Sequence, residues 1–139
     1  MRISTKGRYA LRILLDMAQH REDGYISLKT IAERQGISKK YLDQIMLLLN
    51  RTDYLKSVRG SQGGYRLAKA PDQYTVGDIL RSTEGSTAPL ACLENGGLDC
   101  ERHSICLTRH VWRGLDDVMT SYLDGITLQD IINRDASTR

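Results

Sequence analysis

The sequence predicts a mainly α-helical fold: three short helices closed by a two-stranded hairpin, then one long amphipathic helix. Three observations predict it. Apolar residues recur at helical spacing in separate segments of the chain. A very short turn, Gly36-Ile37-Ser38, joins two of those segments. A Gly-rich run, Gly60 to Gly64, sits between two β-forming flanks.

Each element follows from its residues. The first helix starts near Ser4 or Thr5, either of which can cap it, and turns Ala10, Ile13, Leu14, Met17 and Ala18 to one face. It ends between His20 and Gly24. Ser27 caps a second helix with Leu28, Ile31 and Ala32 inward, and Gly36 stops it, because glycine most readily adopts a left-handed terminus. Ser38 caps a third helix with Leu42, Ile45, Met46 and Leu49 inward. Residues 54–59 and 65–67 form the arms of the hairpin. Pro71 closes this module, and residues 75–81 form a short helix capped by Thr75.

Residues 85–102 read as irregular. A long helix is expected from about Ser104 to Asp124, with Leu107, Val111, Leu115, Val118, Tyr122 and Leu123 as its stripe. Gly125 ends it, and Thr127 caps a final short helix through Ile131 and Ile132. The architecture is a winged helix-turn-helix over residues 1–80. Residues 81–139 then supply a cysteine loop and a dimerisation helix, whose apolar stripe needs a partner surface, most simply the same helix of a second chain.

Charge is unevenly placed. Residues 1–70 carry 14 Lys and Arg against 6 Asp and Glu, a net of +8, whereas residues 71–139 carry a net of −5. A basic first half suits a polyanion. In a helix-turn-helix the second helix enters the major groove. With its core face inward, this one points Lys40, Gln44, Leu47 and Arg51 outward, with Lys39, Tyr41 and Asp43 near the edges and Ser38 at its start. Gln can pair with adenine and Asp can accept from cytosine. The wing adds Arg59 and Arg66 beside a tip of Gly60, Ser61, Gln62 and Gly63. Arg2, Lys6 and Arg8 supply phosphate contacts or a minor-groove arm. These features predict binding to double-stranded DNA, and a two-fold dimer would read a pseudo-palindromic operator. A protein-binding regulator is the other non-enzymatic reading of the same helices.

The composition excludes other classes. No stretch approaches a membrane span, and the basic start is not followed by the apolar stretch of a signal peptide, which leads to the expectation of a cytoplasmic protein. No nucleophile–base pair or phosphate loop stands out, so no enzyme is expected.

Three cysteines, Cys92, Cys100 and Cys106, fall within 15 residues. They form no Cys-x-x-Cys pair, so a zinc ribbon is not indicated. Thiolates in a Gly-rich loop suit an iron–sulfur cluster, which needs a fourth donor. His110, four residues after Cys106, would share a helical face with it, and His103 is the other local candidate. Free thiols, or a disulfide redox switch, are the competing readings.

The chain resembles the IscR-type iron–sulfur regulators and their wider winged-helix repressor family, which includes NsrR and CymR. The resemblance rests on Ile3-Ser-Thr-Lys-Gly-Arg-Tyr-Ala10, on residues 31–38 with Tyr41-Leu-Asp-Gln44, and on the wing from Val58 to Tyr65. Val76-Gly-Asp-Ile79, Cys106-Leu-Thr-Arg-His-Val-Trp112 and Ile126-Thr-Leu-Gln129 extend it. It implies a homodimer with a long crossed helix, repression of cluster-assembly genes, and a [2Fe–2S] cluster on three cysteines and a histidine: Cys92, Cys100, Cys106 and His110. The chain departs from the IscR pattern twice. Arg109 stands where the ligand histidine follows Cys-Leu-Thr, with His110 one place later, and Asp43 replaces a glutamate in the reading helix. The NsrR branch uses an acid at the place of Arg8, and CymR-like proteins lack the three cysteines.

Overall fold

The fold is described here in a computed structural model covering residues 3–97 and 100–138. In chain order the elements are α1 (Thr5–Gln19), α2 (Leu28–Gln35), α3 (Lys39–Leu49), β1 (Leu55–Val58), β2 (Gly64–Leu67), α4 (Val76–Glu84), α5 (Arg109–Asp124) and α6 (Leu128–Thr138). Short 3-10 turns at Arg21–Asp23, Pro71–Gln73 and Ala91–Gly97 link them. The architecture is the expected winged helix-turn-helix with a long C-terminal helix.

Side-chain caps set the helix starts. Ser4, Ser27, Ser38 and Thr75 accept hydrogen bonds from the backbone N–H groups of Gly7, Thr30, Tyr41 and Asp78. Each satisfies an amide that the helix itself cannot. Thr127 and Asp130 cap α6 reciprocally, each side chain accepting from the other's backbone N–H at 3.0 and 2.9 Å. Gly36 ends α2 in the left-handed conformation (φ 64°), which makes the tight turn into α3 possible.

One core joins these pieces. Ala10, Ile13, Leu14 and Met17 of α1 meet Ile31 of α2, Leu42, Ile45 and Leu49 of α3, Leu67 of β2 and Ile79 of α4. Leu128 of α6 is also fully buried there. Residues on both sides of position 80 therefore share one core. The backbone reinforces this return: Val76 N–H donates to Ile126 at 2.9 Å and Leu128 N–H to Tyr74 at 3.0 Å. Only one large apolar residue of α6 reaches the centre of the core, too weak a pattern to reveal the docking from periodicity.

The strands pair antiparallel, Leu55 opposite Leu67 and Val58 opposite Gly64. The wing is also stitched to the strand-like residue before α2, because Ile26 and Tyr65 exchange both backbone hydrogen bonds at 2.8 Å. A Cβ on Gly64 would stand 2.3 Å from the Ile26 carbonyl oxygen, so only glycine permits this approach. Tyr74, almost fully buried, braces the hairpin base: its hydroxyl donates to the Tyr54 carbonyl at 2.6 Å and accepts from Lys69 N–H at 3.1 Å.

The long helix starts later than its stripe suggests, at Arg109 rather than near Ser104, because residues 101–105 form turns, and Leu107 precedes it. No α5 residue is buried; Val111, Leu115, Val118 and Tyr122 form an exposed apolar row.

A charged group sits inside the α1–α2 contact. Asp16 is 1% exposed. Its carboxylate accepts from Arg34 at 3.0 and 2.6 Å and from Gln35 at 2.9 Å, so both donors come from the last turn of α2. The pairing holds the Arg34 guanidinium in its charged form, raising its pKa. Arg12 adds a second link, donating to the Gln35 side chain at 3.1 Å and to the Gln35 carbonyl. Asp16→Ala is expected to lower the unfolding free energy by about 3 kcal/mol, at the lower end for a broken buried pair because Arg34 keeps partial access to water. Urea denaturation measures it; a loss below about 1 kcal/mol contradicts this account.

Candidate nucleic-acid interface and cysteine loop

The outward face of α3 is presented as the sequence predicts. Lys39, Lys40, Asp43, Gln44 and Arg51 are exposed. Leu47 is 65% exposed, although Leu42, Ile45, Met46 and Leu49 of the same helix are buried in the core. Lys40, Gln44 and Leu47 follow one another at spacings of four and three, which lines them along one side of α3; Arg51 is exposed in the turn after the helix ends, beyond the expected helical face. Ser38 is committed locally, its hydroxyl accepting from Tyr41 N–H at 3.2 Å. Tyr41 is half-buried and packs edge-on against Tyr9 of α1, ring centres 5.7 Å apart. Its visible role is to seat α3 on α1.

The wing tip is a tight turn closed by Gly63 N–H donating to the Gly60 carbonyl at 3.0 Å. Arg59, Gly60, Ser61 and Gln62 are exposed around it. Ser61, Gln62 and Gly63 also face the start of α2 across a cleft of about 300 Å³ lined by Asp23, Ser27 and Thr30. Arg66 differs from Arg59: its guanidinium lies 5.6 Å over the Tyr25 ring. Lys56 is a cation that sequence reasoning passed over. It is exposed and pairs across the wing with Arg66, a neighbourhood visible only once the strand register is known. Lys6 and Arg8 are exposed on α1, whereas Arg2 lies outside the described residues.

The three cysteines come together at the amino end of α5. Cys92, Cys100, His103, Cys106, Arg109 and Trp112 line one cavity of about 30 Å³, with Leu93 completing its wall. Cys92 is exposed, and Cys100 and Cys106 are half-buried. A turn shapes the rim: His103 N–H donates to Cys100 at 3.0 Å and Cys106 N–H to Arg102 at 2.8 Å. His110 is exposed in the first turn of α5 and lines a neighbouring cleft with His103, Ser104, Cys106, Arg109 and Arg113. Because α5 begins at Arg109, Cys106 and His110 do not share a helical face, contrary to the expectation from their spacing.

The donors fit an iron–sulfur cluster by their chemistry, three thiols and an imidazole whose buried Nε2 has no hydrogen-bond partner, all lining one cavity. Their spacing does not close on a metal. Among the described residues, no three His, Cys, Asp or Glu groups stand close enough to grip one, and the cavity has room for little more than a water. Seating a cluster requires the loop to part.

The Cys106 thiol is biased toward thiolate. The Thr108 hydroxyl, 3.5 Å from Sγ, is the main cause, aided by the Thr108 and Arg109 backbone N–H groups and by Arg102, and together they lower its pKa. Since thiolate is the reactive form, Cys106 in the metal-free protein is expected to alkylate with a pH midpoint below that of an ordinary thiol. Thr108→Val should move the midpoint up, as peptide mapping after timed iodoacetamide treatment would record; an unmoved midpoint contradicts the assignment.

Comparison with known proteins agrees with this geometry. Residues 3–134 match the Rrf2 family, described as an iron-dependent transcriptional regulator. The HTH-type transcriptional regulator IscR of Cronobacter sakazakii is 41% identical over 133 residues, covering 96% of this chain and 81% of that protein. Protein rrf2 of Nitratidesulfovibrio vulgaris is 40% identical over 137 residues, covering 99% and 90%. Among solved structures, IscR of T. potens superposes with a TM-score of 0.78 at 37% identity, covering 100% of this chain and 91% of that one. CymR, the global cysteine regulator of B. subtilis, superposes at 0.79 and 38% identity, covering 96% and 98%. These relatives are named as regulators, not enzymes, and no helix among the described residues is long and apolar enough to cross a membrane. The chain belongs to the Rrf2 family of transcriptional regulators.

Proposed function

We propose that the protein is a homodimeric, cytoplasmic repressor that binds a pseudo-palindromic operator and senses iron–sulfur status through a [2Fe–2S] cluster in its cysteine loop. The observation that carries the sensing role is the convergence of Cys92, Cys100 and Cys106 on one cavity at the foot of α5. A cluster bound there supplies a centre whose presence depends on iron, sulfide and oxidants. The exposed row Val111, Leu115, Val118 and Tyr122 on the same helix supports pairing with a second copy. The loop therefore adjoins the surface that sets the distance between two reading helices.

On DNA, α3 supplies the reading face. Gln44 reads adenine, Lys40 meets phosphate or guanine, and Leu47 offers an apolar surface to a thymine methyl. Arg59 at the wing tip enters a minor groove, and Lys6 and Arg8 hold the backbone. A second reading keeps the DNA interface but makes the cysteines a thiol switch without metal. The thiolate bias of Cys106 and the superposition on CymR favour it.

Two experiments test the proposal. Protein purified without oxygen should carry roughly two irons and two sulfides per chain and should be coloured. Its operator selection should change when the cluster is removed. A colourless, iron-free protein that resists reconstitution, or equal binding to every operator with and without cluster, excludes cluster sensing. For the interface, Gln44→Ala should cost about 1–3 kcal/mol of discrimination at one base pair. Lys40→Ala, if its contact is to phosphate, should weaken binding to all sequences and reduce the slope of log affinity against log salt by about one. Anisotropy titrations over a salt series separate the two; a Gln44→Ala protein with unchanged base preference contradicts the reading-face assignment.

A further inference from the structure

We infer that His103, through Nε2, is the nitrogen donor that completes the cysteine site, and that His110 is not. The inference rests on the reading of the cysteine loop as an iron–sulfur centre.

Three observations meet at this side chain. His103 Nε2 is the one buried side-chain nitrogen or oxygen without a hydrogen-bond partner among the described residues. Burying such an atom unpaired is costly, and an exception in a folded protein calls for a ligand. The imidazole also lines the one cavity shared by all three cysteines, whereas His110 shares only a neighbouring cleft with Cys106 and does not line the cavity of Cys92 and Cys100. A neutral imidazole nitrogen is a ligand for iron, as it is in clusters where histidine replaces cysteine. The third observation concerns Arg109, which lines both the thiol cavity and the neighbouring cleft. Its guanidinium has no lone pair to donate. It can instead offset the negative charge of the thiolates, a role that leaves the donor position to another residue.

Chain direction agrees. His103 lies three residues after Cys100 and three before Cys106, inside the turn they bracket, and its own N–H is bonded to the Cys100 carbonyl. The same turn bonds Cys106 N–H to the Arg102 carbonyl, so His103 and the two cysteines that bracket it share one hydrogen-bonded segment. His110 belongs to α5 and is exposed.

The test uses the full-length protein reconstituted anaerobically with ferrous iron and sulfide, labelled with 15N-histidine and reduced for pulsed electron paramagnetic resonance. The expected result is a histidine nitrogen coupling that persists in His110→Ala and vanishes in His103→Ala. His103→Cys should keep the iron content while losing the coupling, which guards against a variant that merely misfolds. Loss of the coupling in His110→Ala with retention in His103→Ala would falsify the inference. A wild-type cluster without any histidine coupling overturns it too, while leaving the cluster reading intact. Failure of the wild-type protein to take up iron and sulfide removes both.

Discussion

A single buried carboxylate organises the reading head. Asp16 sits on the inward side of α1, where an unpaired charge would be intolerable, and the last turn of α2 answers it with Arg34 and Gln35. That contact fixes how α2 lies across α1. Gly36, the next residue, turns the chain into α3, so the angle of the reading helix is inherited from the α1–α2 clasp. Apolar packing alone would leave more freedom, since side chains of similar volume can slide past one another, whereas a forked guanidinium on a carboxylate has a preferred geometry.

The molecule divides its tasks by sign and by surface. The basic first half exposes Lys39, Lys40, Arg51, Lys56 and Arg59 around α3 and the wing. The acidic second half carries the thiols and the long helix. Within the proposed reading face the exposed side chains are of two chemical kinds: lysines suit phosphate of any sequence, while Gln44, Asp43 and Leu47 have the hydrogen-bonding groups and apolar surface that base discrimination needs.

Much of this was legible in the sequence because the signals were local. Ser4, Ser27, Ser38 and Thr75 announce helix starts through hydrogen bonds made three residues away, and Gly36 announces an end. The inward faces of α1, α2 and α3 follow from spacing alone. What escaped depends on long-range placement. The docking of α6 turns on Leu128 and on backbone bonds to Tyr74 and Val76, which no periodicity reveals. The start of α5 was placed too early because Leu107 continues the apolar rhythm into residues that form turns. Lys56 became a neighbour of Arg66 only through the strand register. That His103 rather than His110 lines the cavity of all three thiols depends on how the loop folds, and a count of intervening residues says nothing about that.

The attachment of α5 has a mechanical consequence. Its carboxyl end is clamped to the reading head by Arg81, which holds Asp124 at 2.7 Å, and by the return of the chain through Ile126 and Leu128 into the core. Its amino end meets the thiols and is otherwise exposed. A helix of 16 residues is about 24 Å long. Were its amino end displaced by about 2 Å about a fixed Asp124, the helix would swing by roughly 5° over that length. With this attachment, a rearrangement at the thiols would reach the rest of the molecule as rotation rather than translation.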